Sequence, residues 1–184
     1  MSEEIKGMDR RQFVRTGAAA GLAAVAPLPA AGAAPAVRRS QVRPVVISDR
    51  TGFAFRNGGP HNAVERAFQG IMQGEDVLDA LIAGVNIPEN DPEETGVGYG
   101  GLPNADGVVQ LDACCMHGPL RRAGGVAALE GVRTPSLVAR AVMHQTDHPL
   151  LVGPGAREFA RQIGMRIEDD LNTPHSRRLY LEWK

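Results

Sequence analysis

Apolar residues recur at helical spacing in two neighbouring stretches of the chain. They are Ala63, Ala67, Phe68 and Ile71 in residues 62–72, and Val77, Leu78, Leu81, Ile82 and Val85 in residues 76–85. Positions three or four apart lie on the same side of a helix, so each stretch presents one apolar stripe to a core. The pattern predicts two short amphipathic helices, the first ending near Gly70 and Gly74.

Runs of β-branched and small apolar residues predict strands. The runs cover residues 42–48, 108–116 and 124–129, and the early proline of the first run suits an edge strand or a strand start. Residues 150–152 predict a further short buried piece. Thr134 before Pro135 predicts a capped helix running to His144, and Pro154 and Pro174 predict the starts of two later helices.

Length and composition fit one folded domain. The chain has 184 residues, of which 43% are hydrophobic and 22% charged, values that are ordinary for a soluble protein with a sizeable core. Because helical and strand patterns alternate along the chain, we expect an α/β fold in which helices pack on a sheet.

The charge pattern argues against a nucleic-acid-binding protein. The formal net charge is -1, and aromatic residues make up only 4% of the chain. Proteins bind phosphate backbones through basic patches and stack single-stranded bases on aromatic side chains. We therefore expect no nucleic-acid partner.

The amino terminus carries an export-type pattern. Arg10 and Arg11 precede a weakly apolar stretch, residues 16–26, that is too short to span a bilayer, and the small residues 31–33 follow. This arrangement resembles a twin-arginine export signal. We expect cleavage after Ala33 and a periplasmic product, residues 34–184, without membrane attachment. The alternative is an alanine-rich tail with two incidental arginines.

The stretch of residues 95–118 is the most specific feature of the chain. Six of its residues are glycine, and a turn at residues 104–107 leads into the second predicted strand. Residues 96–101, the glycine segment, also fit the G-x-G-x-x-G spacing of dinucleotide-binding loops. That fingerprint follows a strand and opens a helix, whereas here an acidic loop precedes it and a strand follows. We therefore expect no nucleotide site.

Cysteine and histidine side chains could carry other chemistry, but each has a simpler interpretation. Cys114 and Cys115 are neighbours in a predicted strand, so they point to opposite faces and are interpreted as small apolar residues. His144 and His148 are four positions apart, a spacing that could bind a metal ion on one helix. Pro149 disfavours helix at His148, and no third ligand is evident. We expect no metal site.

Residues 86–94 form an acidic, proline-bearing loop. Its carboxylates Glu89, Asp91, Glu93 and Glu94 could coordinate calcium, but they lack the regular spacing of a dedicated loop. We interpret the loop as a solvated turn. His117 is interpreted as a strand-end residue whose imidazole could influence a neighbouring group near neutral pH.

Residues 95–118 and the blocks 122–131, 134–140 and 148–153 occur in an order that resembles the amino-terminal portion of one enzyme family. The family comprises the glycosylasparaginases and the isoaspartyl-peptidase-type asparaginases, which are N-terminal-nucleophile (Ntn) hydrolases. The resemblance covers nearly everything after about Val45. It implies an αββα four-layer sandwich, of which this chain supplies about half, and cofactor-free hydrolysis of side-chain amides in asparagine derivatives.

The resemblance also implies that the catalytic centre is incomplete in these residues. In that family self-cleavage makes a threonine the first residue of a chain, and its free α-amine accepts the hydroxyl proton. The resemblance places this threonine beyond Lys184, in a downstream β portion, so we expect no catalytic residue here and no activity of the chain alone. It implies processed heterodimers that assemble further into homo-oligomers. The alternative is a non-catalytic periplasmic binding or scaffold fragment derived from such an enzyme.

Three residues are expected to form a wall of the substrate pocket. Aligned by its neighbours, Phe53 occupies the place of an aromatic residue near the substrate in glycosylasparaginases. Gly96 occupies the place of a serine that supports the nucleophile, and Thr95 could offer a substitute hydroxyl. The alternative is that these are loop residues without ligand contact. Thr95 also resembles a cleavage point superficially, but we interpret it as a loop threonine.

Overall fold

The structure, a computed structural model, describes residues 43–184. Arg10, Arg11 and the expected cleavage site after Ala33 lie outside the described residues. The elements in chain order are α1 (Arg50–Ala54), α2 (Ala63–Met72), α3 (Val77–Glu89), β1 (Leu111–His117), β2 (Arg122–Leu129), α4 (Pro135–Gln145), β3 (Leu151–Val152), α5 (Gly153–Gln162) and α6 (Pro174–Trp183). None of these helices is long and apolar enough to cross a bilayer.

The strands form one small mixed sheet. β1 pairs antiparallel with β2, and β3 adds parallel to the other side of β2. The register is irregular between Leu111 and Ala113, where Asp112 Oδ1 accepts a 2.7 Å hydrogen bond from the backbone N–H of Ala128. Within residues 43–184 the outer edge of β1 pairs with no other strand. One edge of this sheet therefore offers free backbone groups.

α4 packs across the sheet and closes the main core. The core side chains are at most 1% exposed and come from β2, the loop after it, α4 and α5: Val126, Leu129, Val132, Val138, Ala139, Val142, Ala156 and Ala160. Gly124 permits the close approach of α4. A Cβ atom there would lie 2.4 Å from the backbone oxygen of Ala139 and 2.5 Å from the backbone nitrogen of Met143. Close-packed interiors cannot absorb such overlap without moving the helix.

α2 and α3 form a second packed pair with capped ends. Asn62 and Glu65 form a capping box, because each side chain accepts a hydrogen bond from the other's backbone N–H, at 2.9 and 3.0 Å. Asp76 caps α3 by accepting from the N–H groups of residues 78 and 79. A Cβ atom at Gly84 would lie 2.5 Å from the carbonyl oxygen of Ala63. The two helices touch there because position 84 lacks a side chain.

The predicted helices are confirmed, with one extension and one addition. Helices beginning near residues 62, 76, 135, 154 and 174 are all present. α3 continues through Pro88 to Glu89, so the first four residues of the predicted acidic loop are helical. Asn90 closes this helix by donating its side-chain amide to the carbonyl oxygen of Asn86 at 2.7 Å. The short helix α1 is an addition that the apolar pattern does not predict.

The strand predictions are corrected in three places. The described part of residues 42–48 forms no strand, and Val45 and Ile47 are 75% and 88% exposed. A strand needs a hydrogen-bonded neighbour, and none of the described strands lies beside this stretch. β1 begins at Leu111 rather than at residue 108. The piece at residues 150–152 pairs with β2, but Leu150 and Val152 are about half exposed rather than buried.

The α/β class is confirmed for the part of the chain that the structure describes. It contains helices packed on one three-stranded sheet. A four-layer sandwich requires a second sheet, which residues 43–184 do not contain.

Candidate functional site

The acidic segment, residues 89–94, is the structural centre of the candidate site. Glu89, Asp91 and Glu94 are only 2%, 8% and 5% exposed, whereas Glu93 is exposed. The interpretation of this loop as a solvated turn is therefore wrong for three of its four carboxylates. Each buried carboxylate accepts a hydrogen bond from a backbone N–H group. The segment is buried because its acids satisfy these donors.

Glu89 connects the end of α3 to the start of α4. Its carboxylate accepts hydrogen bonds from the backbone N–H of Ser136 at 3.0 Å, from the Ser136 hydroxyl at 2.7 Å and from the side-chain amide of Asn86 at 2.6 Å. Thr134 occupies the N-cap position of α4, as predicted, but its side chain makes no capping bond. Glu89 satisfies a free N–H of the first turn of α4 instead, a place where a negative charge is also favourable.

Burial dominates the ionisation of Glu89. The loss of hydration raises the pKa of its carboxyl above the usual range, and the hydrogen bonds from Ser136 and Asn86 oppose this effect only in part. A charged Glu89 is therefore less stable in the folded protein than in water.

Glu89 also supports the glycine segment through its backbone. Its carbonyl oxygen accepts a 2.7 Å hydrogen bond from the backbone N–H of Tyr99. Gly98 has φ of 56°, and a Cβ atom on it would lie 2.0 Å from that oxygen. Only glycine fits at this close approach between backbones.

Asp91 joins two segments that are distant in sequence. Its Oδ2 accepts a 2.8 Å hydrogen bond from the backbone N–H of Asn57, and its Oδ1 accepts one of 3.1 Å from the N–H of Glu93. Asn57 follows α1, the helix that carries Phe53. Asp91 therefore fixes the segment after Phe53 against the acidic segment.

Glu94 turns back onto the next residues of the chain. Its Oε1 accepts a 2.6 Å hydrogen bond from the backbone N–H of Gly96. The carbonyl of Thr95 accepts a 2.9 Å hydrogen bond from the N–H of Leu102, which closes the loop around the glycine segment. The backbone of the predicted pocket wall is thus fixed on both sides.

The structure places the three pocket-wall residues on these tethered segments. Phe53 is 57% exposed, Thr95 is partly buried and Gly96 is exposed. The Asn57–Asp91 hydrogen bond connects the Phe53 segment with the segment that leads to Thr95 and Gly96. That these three residues touch a substrate stays a prediction.

A groove of about 610 Å³ is lined by Gly96, although by neither Phe53 nor Thr95. Its lining comes from α3, the glycine segment, β1 and the start of α4. The lining residues include Ile82, Glu89, Gly96, Cys115 and Ser136. The groove therefore lies beside the free edge of β1 and is in contact with Gly96. Sequence reasoning missed it, because its lining comes from elements up to about 60 residues apart.

The other candidate residues are two cysteines, which border the groove, and two histidines. Cys114 and Cys115 are both free; Cys114 is exposed and Cys115 only partly buried, so neither packs as a fully buried apolar residue. His144 and His148 are exposed. Within residues 43–184, no three His, Cys, Asp or Glu side chains are grouped closely enough to hold a metal ion. In the structure, as predicted, the glycine segment neither follows a strand nor opens a helix.

His117 has a more defined role than its sequence position indicated. It is 7% exposed at the end of β1, and its Nε2 lies 3.0 Å from Oδ2 of Asp76, the N-cap of α3. Its Nδ1 accepts a hydrogen bond from the N–H of Leu120, so in the neutral form Nε2 carries the proton and donates a hydrogen bond to Asp76. The pair ties the end of β1 to the start of α3.

Comparison with known proteins identifies the family. One family model, described as asparaginase, matches residues 49–184, which include the whole candidate site. The chain belongs to this asparaginase family. The predicted resemblance to the Ntn-hydrolase asparaginases is thereby confirmed, and with it the expectation that the chain belongs to a family of amidohydrolases.

Curated relatives include asparaginases of two named types. An N(4)-(beta-N-acetylglucosaminyl)-L-asparaginase of Elizabethkingia miricola is 40% identical over 177 residues, 95% of this chain and 49% of the relative. The mouse enzyme of the same name is 36% identical over 149 residues, 81% of this chain and 40% of the relative. A rat isoaspartyl peptidase/L-asparaginase is 37% identical over 107 residues, 58% of this chain and 32% of the relative. The chain thus spans about half or less of the length of these relatives.

Proposed function

We propose that this asparaginase-family chain is the amino-terminal portion of a self-processing threonine amidohydrolase. The proposed reaction is hydrolysis of the side-chain amide of an asparagine derivative, either glycosylated asparagine or an asparagine or isoaspartyl substrate. The observation that carries the proposal is an open groove lined by Gly96, whose segment the Asp91–Asn57 hydrogen bond connects with the segment of Phe53. The names of the relatives support the substrate class.

The nucleophile is proposed to come from a downstream portion of the enzyme. A threonine hydroxyl is a weak nucleophile until a base removes its proton, and here that base is the free α-amine of the same residue. The described threonines, Thr51, Thr95, Thr134, Thr146 and Thr173, would each gain a free α-amine only by cleavage of the chain before them, and the resemblance places the cleaved threonine beyond Lys184 instead.

Exposed apolar side chains support a large partner. Met116 of β1 is 76% exposed beside the free strand edge, and Leu81 and Val85 of α3 are about 40% exposed along the groove. Exposed apolar patches beside an unpaired strand edge are typical of surfaces that another polypeptide covers. We propose that the downstream β portion completes the sheets of a four-layer sandwich, and that the processed heterodimers assemble into homo-oligomers.

A chimaera tests the catalytic proposal. This chain would be followed by the part of the Elizabethkingia miricola relative that the match does not cover, and purified beside the 184-residue chain alone. Intact mass should reveal self-cleavage of the chimaera. Aspartate release should then occur from glycosylated asparagine, asparagine or an isoaspartyl dipeptide, and the chain alone should release none. A chimaera that folds as a compact species but neither cleaves itself nor hydrolyses any of the three substrates would contradict the proposal and favour the binding or scaffold alternative.

Export by the twin-arginine route to the periplasm is a separate proposal, and it rests on Arg10 and Arg11. Replacing both arginines with lysine keeps the charge but removes the paired guanidinium groups. We expect the protein to move from the periplasmic to the cytoplasmic fraction of a host with a twin-arginine pathway. An unchanged periplasmic fraction would refute the assignment.

A further inference from the structure

We propose that Asp91 and Glu94 are positioning residues that hold the pocket wall in its binding geometry. Asp91 would set the Phe53 side of the wall and Glu94 the Gly96 side. The role in substrate binding rests on the proposed function. The two tethers themselves, which are the hydrogen bonds from the Asn57 N–H to Asp91 and from the Gly96 N–H to Glu94, can be tested without it.

The Asp91 tether has few alternatives in this backbone. Asn57 has φ of 45°, in the left-handed region that asparagine adopts more readily than most residues other than glycine. The carboxylate that meets this N–H at 2.8 Å is 8% exposed and lies 34 positions away in sequence. Its second oxygen is occupied by the N–H of Glu93. An aspartate with both oxygens engaged cannot rotate without losing one bond.

The Glu94 tether explains a departure from the family pattern. A Cβ atom at Gly96 would lie 2.8 Å from Glu94 Oε1, closer than side-chain atoms normally approach. The serine to which Gly96 corresponds by resemblance would therefore require the end of the Glu94 side chain to shift from its present position, in which it accepts a 2.6 Å bond from the backbone N–H. In this chain the missing side chain at Gly96 leaves room for the Glu94 carboxylate. That carboxylate holds the wall through the backbone N–H of Gly96.

No cation offsets these two charges among the described residues. The ion pairs of residues 43–184 include neither Asp91 nor Glu94. Their partners are backbone N–H groups, whose positions are set by the fold rather than by side-chain rotamers. A bond between a charged acceptor and a neutral donor is stronger than a neutral one and fixes direction. This is the arrangement expected of residues that orient a wall rather than react.

Amide hydrogen exchange on the 184-residue chain tests the tethers directly. In the unaltered chain, the amides of Asn57 and Gly96 should exchange slowly although both residues are exposed. Asp91→Ala should speed exchange at Asn57, and Glu94→Ala at Gly96, each by about tenfold or more, the size of one lost charge-assisted hydrogen bond. The matched control is Glu93→Ala, which removes an exposed carboxylate from the same segment and should change neither.

Two results would contradict the claim that these hydrogen bonds hold Asn57 and Gly96 in place. The first is fast exchange at Asn57 and Gly96 in the unaltered chain, a measurement that needs no variant to fold. The second is a rise in exchange that Glu93→Ala produces equally, or that extends to β2, because the effect would then be global loosening rather than release of the wall.

Kinetics in the chimaera test the positioning role. A wall that binds substrate equally in the ground and transition states affects KM and leaves kcat unchanged. We expect Asp91→Ala and Glu94→Ala to raise KM about 5- to 10-fold with kcat within about twofold of the parent, and Glu93→Ala to change neither. A fall in kcat at constant KM would overturn the role. An inactive parent chimaera would instead contradict the proposed function, and the exchange result would still decide on the tethers.

Discussion

Truncation of Glu89 should destabilise the protein through the donors that it leaves behind. Glu89→Ala removes the acceptor for three hydrogen bonds and leaves the Ser136 N–H, the Ser136 hydroxyl and the Asn86 amide without it. Each buried unpaired donor costs about 1–3 kcal/mol. Removal of a poorly hydrated charge offsets part of this cost, so we expect a net loss of about 2–4 kcal/mol in the free energy of unfolding.

Glu89→Gln separates the charge of the side chain from its shape. Burial raises the pKa of Glu89, so the folded state binds the proton more tightly than the unfolded state. The stability gained from protonation is fully present below the ordinary value of 4.5 and is lost as the pH rises through the raised value. Glutamine stays neutral. The stability of the glutamine variant relative to the unaltered chain should therefore increase as the pH rises above about 4.5.

Urea unfolding at a series of pH values measures both effects. Glu93→Gln, with the same change of charge on an exposed side chain of the same segment, is the matched control. The free energy of unfolding of Glu93→Gln should stay close to that of the unaltered chain at every pH. The difference in this free energy between Glu89→Gln and the unaltered chain should increase with pH. If that difference stays constant between about pH 4.5 and 8, Glu89 does not titrate with a raised pKa in the folded protein and the reasoning fails.

Other parts of the fold give three further expectations, each measurable by thermal or urea unfolding. Gly124→Ala should lower the free energy of unfolding by about 2–4 kcal/mol, because its methyl group meets the backbone of α4. Gly155→Ala, with open space around position 155, should cause no loss. Equal effects of the two changes would refute the close-packing argument. Asp76→Ala should cost about 1–2 kcal/mol through loss of the α3 cap. The pKa of Asp76 is lowered in the folded protein, although burial opposes this shift. The stabilising effect of the Asp76 carboxylate should therefore fade only as the pH falls below 3.8. Arg133→Lys should destabilise by about 1 kcal/mol, since lysine cannot reproduce the paired bonds of 2.5 and 2.7 Å to Glu168; an unchanged midpoint would contradict that role.

The elements that sequence predicted well are those decided by local chemistry. The α2 and α3 helices follow from apolar spacing together with Asn62 and Asp76, whose side chains bond to N–H groups two or three residues ahead. Such contacts are readable from a short window of sequence. The tail helix was equally readable, because Thr173 precedes Pro174 and forms a cap at its start.

The elements that sequence predicted poorly depend on distant partners. Val45 and Ile47 have good strand character but have no strand beside them in the described residues. Glu89 and Asp91 look solvated in sequence, yet their partners Ser136 and Asn57 lie 47 and 34 positions away. The residues around a carboxylate do not indicate that a backbone N–H so far away in sequence will donate to it. The pocket-wall residues were chosen by family resemblance, and sequence could not show what holds them in place.

Burial of three acids in a six-residue segment would be unfavourable if they faced one another in a dry interior, because like charges repel and lose hydration. Here each carboxylate is directed to a different structure: Glu89 to the start of α4, Asp91 to the loop after α1, and Glu94 to the next turn of its own chain. Each bond is short-range and has an acceptor carboxylate that is at most 8% exposed, so mobile ions screen it less than an exposed ion pair. The exposed Arg56–Glu65 pair should therefore weaken in high salt while the wall keeps its geometry. Asn57 amide exchange that accelerates with added salt as strongly as the Arg56–Glu65 contact loosens would show that the wall depends on surface electrostatics instead.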